Sequence, residues 1–204
     1  MMRIISGKYK GRQIIRGPLG IRPTQDKVRK ALFDILGDIE GNSFLELFSG
    51  TGAVGLEAAS HGAIEVVFVE KDQKCSQVIE ANLSLLGYLR YSVMALDSLI
   101  AIKELHKKNK QFDIIFLDPP YYKKEVPRNR SEISDCSGSM AGRENEPLTK
   151  KTLQMLSCYD ILTENGFIIV QHFKKDNLPD ALGDLALFRQ SRYGDTLLSF
   201  YRKG

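Results

Sequence analysis

The stretch FDIIFLDPPYYKK, residues 112–124, joins an apolar segment to an acid, two prolines and two tyrosines. Residues 114–117 are all apolar and predict a fully buried parallel strand, so Asp118 lies where that strand leaves the sheet. A carboxylate at the carboxyl end of such a strand faces the crevice where open α/β sheets bind ligands. Pro119 and Pro120 fix φ and lack N–H donors, which predicts a stiff extended turn with outward carbonyls. The stretch therefore sets a carboxylate and rigid carbonyl acceptors at a predicted ligand crevice.

A glycine-rich turn precedes this stretch in the chain. ELFSGTGAVGLE, residues 46–57, places Gly50, Gly52 and Gly55 in the spacing G-x-G-x-x-G between a predicted strand and a predicted helix. Glycines at these positions let the backbone approach a ligand closely, with a helix N-terminus behind it. Dinucleotide-dependent enzymes and methyltransferases both use this spacing, and a tight turn that binds nothing also fits it. The turn alone leaves these alternatives open.

Acids recur where predicted parallel strands end. Glu46, Glu70, Asp97 and Asp118 belong to four successive predicted strands. Glu70 can accept hydrogen bonds from the two vicinal hydroxyls of a ribose. Asp97 can accept the exocyclic amine of an adenine or cap the helix that follows it. The repetition favours a nucleoside-bearing ligand, and the shortage of basic partners at this rim argues against a diphosphate.

Alternating strand and helix patterns predict the architecture that positions these residues. Residues 2–16 predict a short β-hairpin with a glycine-containing turn, and residues 22–36 predict a helix with Thr24 as its N-cap. Strands and helices then alternate to residue 173, which predicts a doubly wound sheet. Two strand-like runs around Gly194 and Asp195 predict a closing antiparallel hairpin. The prediction is an α/β, Rossmann-like, mainly parallel seven-stranded sheet. It comprises a basic hairpin extension (1–22) and a main domain (23–204) with a polar inserted loop (123–147).

Composition limits the class of protein. The chain has 204 residues, of which 43% are hydrophobic and 26% charged, as in ordinary soluble domains. No apolar run reaches the roughly 20 residues that span a membrane, and the start of the chain carries no apolar segment of a secretory signal. The three cysteines and three histidines are scattered, which argues against disulfides and a metal site. We therefore expect a cytoplasmic monomer without metal or membrane partner.

Positive charge is concentrated at the N-terminus. Residues 1–30 contain nine basic residues and one acid, Asp26, so they carry +8 while the remaining residues carry −4. A basic arm on a slightly acidic body favours a phosphate-backbone partner, although a solvated basic face is the simpler alternative. The basic candidates for contact with RNA or DNA phosphates are Arg3, Lys8, Lys10, Arg12, Arg22 and Arg29.

These motifs together resemble class I S-adenosylmethionine-dependent methyltransferases. ELFSGTG resembles their first motif, Glu70 their ribose-binding acid, and Asp118-Pro119-Pro120-Tyr121 their motif for methylating exocyclic or amide nitrogens. RIISGKYKGRQI, RPTQDKVRKALFDIL, VEKD, LDPPY and the closing YGDTLLSFYRK narrow the resemblance to RsmD-type 16S ribosomal RNA guanine-N2 methyltransferases. The inserted loop at 123–147 is the departure from that pattern.

The resemblance implies methylation of the exocyclic N2 amine of a guanine in 16S rRNA, within the small ribosomal subunit or its assembly intermediate. It implies S-adenosyl-L-methionine as cofactor, with S-adenosyl-L-homocysteine as product and no metal. Asp118 and the Pro119 carbonyl would hold the amine, with Pro120 as the rigid support and Tyr121 stacking on the base. The implied cofactor contacts are Glu46, Phe48, Ser49, Gly50, Gly52, Glu70, Lys71, Asp97 and Ser98. The RPT segment of the resemblance implies that Arg22 and Thr24 contribute to the pocket for the substrate RNA, with simple capping of the helix as the alternative.

Three other functions stay open from sequence. An adenine-N6 methyltransferase acting on DNA or RNA would use the same Asp-Pro-Pro-Tyr motif. A nicotinamide-dependent oxidoreductase would use the glycine turn but leaves that motif unexplained. An RNA-binding module that keeps the fold without catalysis would have no need of the intact acids and glycines.

Overall fold

The computed structural model describes residues 2–17, 25–120 and 146–204. The strands are β1 Met2–Arg3, β2 Gln13–Ile14, β3 Ser43–Leu47, β4 Glu65–Val69, β5 Tyr91–Met94, β6 Phe112–Leu117, β7 Leu162–Phe173, β8 Ala181–Leu182, β9 Leu185–Tyr193 and β10 Thr196–Lys203. The helices are α1 Asp26–Leu36, α2 Ala53–Ser60, α3 Gln73–Leu86, α4 Ser98–Lys107 and α5 Leu148–Cys158. None of the helices in these ranges is long and apolar enough to cross a bilayer.

Most of the strands form one twisted sheet in the order β5-β4-β3-β6-β7-β10-β9-β8. The strands from β5 to β7 pair in parallel, whereas β10 pairs antiparallel with both β7 and β9. The chain proceeds from β3 to one side of the sheet and then returns through β6 to the other side. The switch point of this topology therefore lies between β3 and β6, where ligands bind in open α/β sheets.

Two hydrophobic cores cover the two faces of this sheet. Apolar residues of α1, α2 and α3 pack on one face, and those of α4 and α5 pack on the other. The parallel strands are apolar on both faces, as the continuous apolar runs predict; β6, for example, alternates Ile114 and Phe116 with Ile115 and Leu117. The Rossmann-like doubly wound prediction is confirmed.

The N-terminal hairpin packs on α2 and joins the core of that face. Its apolar residues Met2, Ile4, Tyr9 and Ile14 are buried in that core. Backbone groups complete the attachment, because Lys8 N donates to the Ser60 carbonyl at 2.7 Å and Tyr9 N donates to Ser60 Oγ at 2.9 Å. The hairpin is therefore anchored through its apolar side chains and backbone, and its lysines remain exposed.

An asparagine forms two hydrogen bonds to the backbone of the segment that follows β2. Asn82, buried on α3, accepts from Ile15 N at 2.7 Å and donates to the Ile15 carbonyl at 3.1 Å. The two bonds satisfy both backbone groups of one residue, as an added strand would. The segment after the hairpin is thereby fixed to α3.

The closing hairpin is present, but the strand count is corrected. β9 and β10 are joined by Gly194 and Asp195, and Gly194 has a φ of 64°, as the first position of a two-residue hairpin loop requires. Within the described residues the main sheet has eight strands, not seven, because Ala181 and Leu182 add a short edge strand beside β9. A strand of two residues is too short to show an alternating hydrophobic pattern, so the sequence could not predict it.

Several predicted features lie outside the described residues. Thr24, the predicted N-cap, is one of them, and Gln25, which immediately precedes α1, makes no side-chain capping bond. The predicted inserted loop is described only at Glu146 and Pro147, directly before α5. α1 ends at Gly37, one of the two glycines predicted to end it.

Candidate active site

The candidate active site lies at the sheet switch point. β3 and β6 are parallel neighbours, with Leu47 opposite Leu117, so the next residues, Phe48 and Asp118, leave the sheet side by side. The glycine turn follows the first of these strands and the two prolines follow the second. The two motifs that sequence singled out are therefore adjacent in space.

The glycine turn is a series of left-handed residues tied to the neighbouring strand. Phe48, Gly50 and Gly52 have φ values of 58°, 53° and 72°. A positive φ is unfavourable for a bulky residue such as Phe48, and such strain clusters at functional sites. Ser49 anchors the turn, because its Oγ donates to the Glu46 carbonyl at 2.7 Å and accepts from Val69 N at 3.1 Å. Two buried bonds hold Ser49 as a support of the turn.

Close packing explains the third glycine of the motif. A Cβ added at Gly55 would lie 2.3 Å from Phe68 Cε1 and 2.8 Å from Glu46 Oε2. These are distances that side chains do not tolerate, so α2 approaches the sheet only because residue 55 has no side chain. The glycine holds the helix N-terminus against the end of β3.

Glu46 is buried beneath the glycine turn. It is the penultimate residue of β3, it is 3% exposed, and its two oxygens accept from Val54 N at 3.3 Å and Gly55 N at 3.0 Å. Burial, together with the nearby charges of Asp118 and Glu70, raises the pKa of Glu46 to about 8, although the two N–H groups oppose the shift. Glu46 thus joins β3 to the start of α2, and its contact with the cofactor stays a prediction.

Glu46→Gln should remove a pH dependence of stability. The ordinary pKa of a glutamate is 4.5 and that of Glu46 is about 8, so the folded protein retains a proton that the unfolded chain loses. The stabilising contribution is complete below pH 4.5 and is lost as the pH rises through 8. The neutral amide resembles the protonated carboxyl at every pH. The free energy of unfolding of the variant, relative to that of wild type, should therefore rise by about 1.4 kcal/mol for each unit of pH increase within this window.

Urea denaturation from pH 5 to 9 measures this difference. Glu40→Gln, at an exposed glutamate, is the control and should change little over the range. A free-energy difference between Glu46→Gln and wild type that stays constant with pH would contradict the assignment.

The acids after β4 and β5 remain beside the turn. Glu70 is half-buried, and its carboxylate accepts from Gly50 N at 2.7 Å and from Asp72 N at 2.8 Å. Asp97 caps α4 by accepting from Leu99 N at 2.9 Å. The same carboxylate would accept the exocyclic amine of an adenine, the other role considered for it. Ser98 is buried with its Oγ accepting from Phe48 N at 3.3 Å, whereas Lys71 is exposed.

Asp118 is held from the neighbouring strand by a residue that the sequence reading missed. Gln171 of β7 donates from Nε2 to Asp118 Oδ2 at 2.6 Å, and Pro119 is buried beside them. The available signal was a polar residue at the end of the apolar run FIIV. Its use required knowing that β7 is the parallel neighbour of β6. Tyr121 lies outside the described residues.

The structure exposes some basic residues of the N-terminal arm and buries one of them. Arg3, Lys8, Lys10 and Arg12 are exposed on the hairpin. Arg29 is 1% exposed, and its guanidinium donates to Glu57 Oε1 at 3.2 Å and to the Arg3 carbonyl at 3.0 Å. The prediction that Arg29 contacts RNA is therefore wrong, because its donors bind partners inside the protein. Arg22 and Thr24 lie outside the described residues.

The donors and acceptors at the switch point fit S-adenosylmethionine. A carboxylate has about four lone-pair sites, and the two backbone bonds to Glu70 leave acceptor capacity for two ribose hydroxyls. The left-handed turn lets the backbone approach a ligand closely. Among the described residues no group of three His, Cys, Asp or Glu side chains could hold a metal ion.

The fold and the site together define a class I S-adenosylmethionine-dependent methyltransferase. The defining features are a parallel sheet with an antiparallel closing hairpin, a glycine turn after β3, an acid after β4 and Asp-Pro-Pro after β6. The profile of the family described as conserved hypothetical protein 95 matches residues 2–136. The chain is 33% identical to YlbH of Bacillus subtilis over 99% of both chains. The chain belongs to this family, the RsmD-type methyltransferases.

Two further comparisons agree with this assignment. Ribosomal RNA small subunit methyltransferase D of Escherichia coli is 27% identical over 99% of this chain and 90% of its own length. The solved structure of yhhF from Escherichia coli superimposes with a TM-score of 0.76 at 25% identity, covering 99% of this chain and 97% of that one. The likeness extends over nearly the full length of both chains.

Proposed function

We propose that the protein transfers a methyl group from S-adenosyl-L-methionine to the exocyclic N2 amine of a guanine in 16S rRNA of the small ribosomal subunit. The observation that carries the proposal is the position of Asp118-Pro119-Pro120, immediately beside the glycine turn at the switch point. The names of relatives such as ribosomal RNA small subunit methyltransferase D support rRNA as the substrate. An adenine-N6 substrate is the alternative that the same motif permits.

Asp118 and the Pro119 carbonyl hold and activate the amine in this proposal. S-adenosylmethionine, when bound, supplies an electrophilic methyl group on its sulfonium. Because the lone pair of a guanine amine is delocalised into the ring, two acceptors for its N–H groups favour a more pyramidal, more nucleophilic nitrogen. Positive charge develops on this nitrogen during attack, so the two acceptors bind the transition state more strongly than the ground state. Gln171 fixes the Asp118 carboxylate in position for this role.

The exposed hairpin supplies the contacts to RNA phosphates. Arg3, Lys8, Lys10 and Arg12 extend from a backbone that is anchored on α2, so their charges are presented by a fixed element. Contacts to phosphates position an RNA without reading its sequence. Recognition of the base itself then belongs to the crevice, into which the target nucleotide must be extruded or presented from a loop.

Transfer of labelled methyl from S-adenosylmethionine to undermethylated small ribosomal subunits, followed by nucleoside analysis, tests the proposal. Label in N2-methylguanosine is the expected result. Label in N6-methyladenosine would replace guanine with the alternative substrate. Cofactor binding without label in subunits or in naked 16S rRNA would refute the proposed substrate.

Glu70→Gln should weaken binding of S-adenosylhomocysteine about 10- to 100-fold, because the charged acceptor for the ribose hydroxyls becomes a neutral amide. Isothermal titration calorimetry measures the affinity without any RNA. Glu65→Gln, at the other end of β4 and paired there with Lys110, is the matched control and should bind as wild type does. Equal affinity of the two variants would remove Glu70 from the cofactor site.

A further inference from the structure

The amide of Gln171 has one satisfied end and one unsatisfied end. Its nitrogen donates to Asp118 Oδ2 at 2.6 Å, and its oxygen is buried without a hydrogen-bond partner in the part of the chain that the structure describes. The orientation follows from chemistry, since an ionised carboxylate only accepts and must therefore face the amide nitrogen. The oxygen consequently points away from that carboxylate oxygen while remaining in the site.

The unpaired oxygen stands out against the polar groups around it. The next residue of β7, His172, has Nε2 2.8 Å from Ser199 Oγ, and Gln190 Nε2 donates to the same Oγ at 2.9 Å. Gln171 itself is 6% exposed, so bulk water does not compensate its oxygen. Burying an acceptor without a donor is unfavourable, and an exception beside a reactive carboxylate indicates a donor that arrives with a ligand.

We propose that Gln171 Oε1 accepts a hydrogen bond from N1–H of the target guanine, which makes Gln171 a specificity-determining residue. The inference rests on the proposed function, in which Asp118 accepts from the neighbouring N2 amine. The oxygen and nitrogen of an amide are about 2.3 Å apart, so Oε1 lies within about 5 Å of Asp118 Oδ2. Two acceptors at this spacing can receive the adjacent N1–H and N2–H donors of one guanine edge.

The same geometry discriminates against adenine. N1 of adenine carries no hydrogen and is itself an acceptor, so it would face the Gln171 oxygen with no proton between them. A site that buries a hydrogen-bonding group for its substrate rejects analogues that leave this group unpaired. Gln171 therefore supplies a physical reason for guanine where the Asp-Pro-Pro motif alone permits both bases.

The test compares two target bases in one RNA. Once the methylated guanine has been mapped, small-subunit RNA is prepared by ligation with either guanosine or 2-aminopurine riboside at that position and assembled into subunits. 2-Aminopurine keeps the exocyclic amine and lacks N1–H. The measured quantity is the ratio of kcat/KM for the two substrates, in which general losses of activity cancel.

Wild type should prefer guanine by about 30-fold or more, and Gln171→Met should reduce this preference by about 10-fold. Gln171→Glu takes up a proton beside the Asp118 carboxylate, keeps an oxygen acceptor for N1–H, and should retain the preference within about threefold. Gln190→Met, the same substitution on β9, which β10 separates from β7, should behave as wild type. If Gln171→Met turns over too slowly, the ratio of dissociation constants for the two RNAs, measured with S-adenosylhomocysteine, replaces the rate ratio.

An unchanged preference in Gln171→Met would overturn the inference. Loss of the preference in both Gln171 variants would also overturn it, because the amide donor to Asp118 and not the oxygen would then be responsible. Absence of N2-methylguanosine with wild type would refute the proposed function first, and this inference with it, before any variant is compared.

Discussion

Asp118→Asn is expected to lower kcat for methyl transfer by about 10²–10³-fold, the range found when one preorganised stabilising group is removed from an active site. The neutral amide has almost the same shape, so the loss measures the charge of Asp118 opposite a nitrogen that becomes positive. Gln171 keeps its partner, because the asparagine can turn its oxygen toward Gln171 Nε2. The effect should therefore fall on the chemical step.

Single-turnover rates measure the effect on the chemical step, and the affinity for S-adenosylhomocysteine measures the effect on cofactor binding. The affinity should stay within about threefold of wild type. Asp113→Asn is the matched control, since Asp113 lies at the other end of β6 and accepts from Ser43 N at 2.8 Å and Thr163 Oγ1 at 3.0 Å. It should affect stability and leave the single-turnover rate unchanged. A rate for Asp118→Asn close to that of wild type would remove Asp118 from the chemistry.

Arg29→Met is expected to reduce the free energy of unfolding by about 3–5 kcal/mol, as for other buried ion pairs that lose one partner. Arg29 and Glu57 are each 1% exposed at the side chain, and Nε lies 3.2 Å from Glu57 Oε1. Burial raises the pKa of Glu57, while Ile5 N, Ser6 N and Arg29 oppose that shift. Without Arg29 the carboxyl must remain buried and charged with fewer partners, or take up a proton.

Urea denaturation at pH 7 measures the loss. Lys30→Met is the control on the same helix, because Lys30 forms an exposed pair with Asp34 at 2.7 Å, and such pairs contribute less than about 1 kcal/mol. The double variant Arg29→Met/Glu57→Gln should recover part of the loss by removing the uncompensated charge. Equal destabilisation by Arg29→Met and Lys30→Met would show that the buried pair contributes no more than the exposed one.

The fold could be predicted because its strands are buried on both faces. Four consecutive apolar residues before Asp118 and the apolar runs before Glu70 have few other structural solutions, and the alternation with helical spacing determines the layers. The spatial proximity of the glycine turn and Asp118 followed from topology, since both come after parallel strands. These parts of the candidate site needed no tertiary detail.

The charged residues were harder to place because burial of a charge depends on partners distant in sequence. Arg29 lies in a basic segment, which favours a phosphate contact, but Glu57, 28 residues later, pairs with it in the core. Glu46 was read as an acid at a strand end, whereas its position one residue earlier turns it toward α2. Gln171 required the neighbour relation of β6 and β7, which local patterns do not encode.

Helix α2 joins the glycine turn to the basic hairpin. Its N-terminus carries the glycine turn, and near its C-terminus Glu57 and Ser60 hold the basic hairpin. Its eight residues span about 12 Å, so the glycine turn and the basic hairpin are separated by little more than two helical turns. Any energetic coupling between cofactor binding and RNA binding through α2 is reciprocal. The factor by which cofactor changes RNA affinity equals the factor by which RNA changes cofactor affinity.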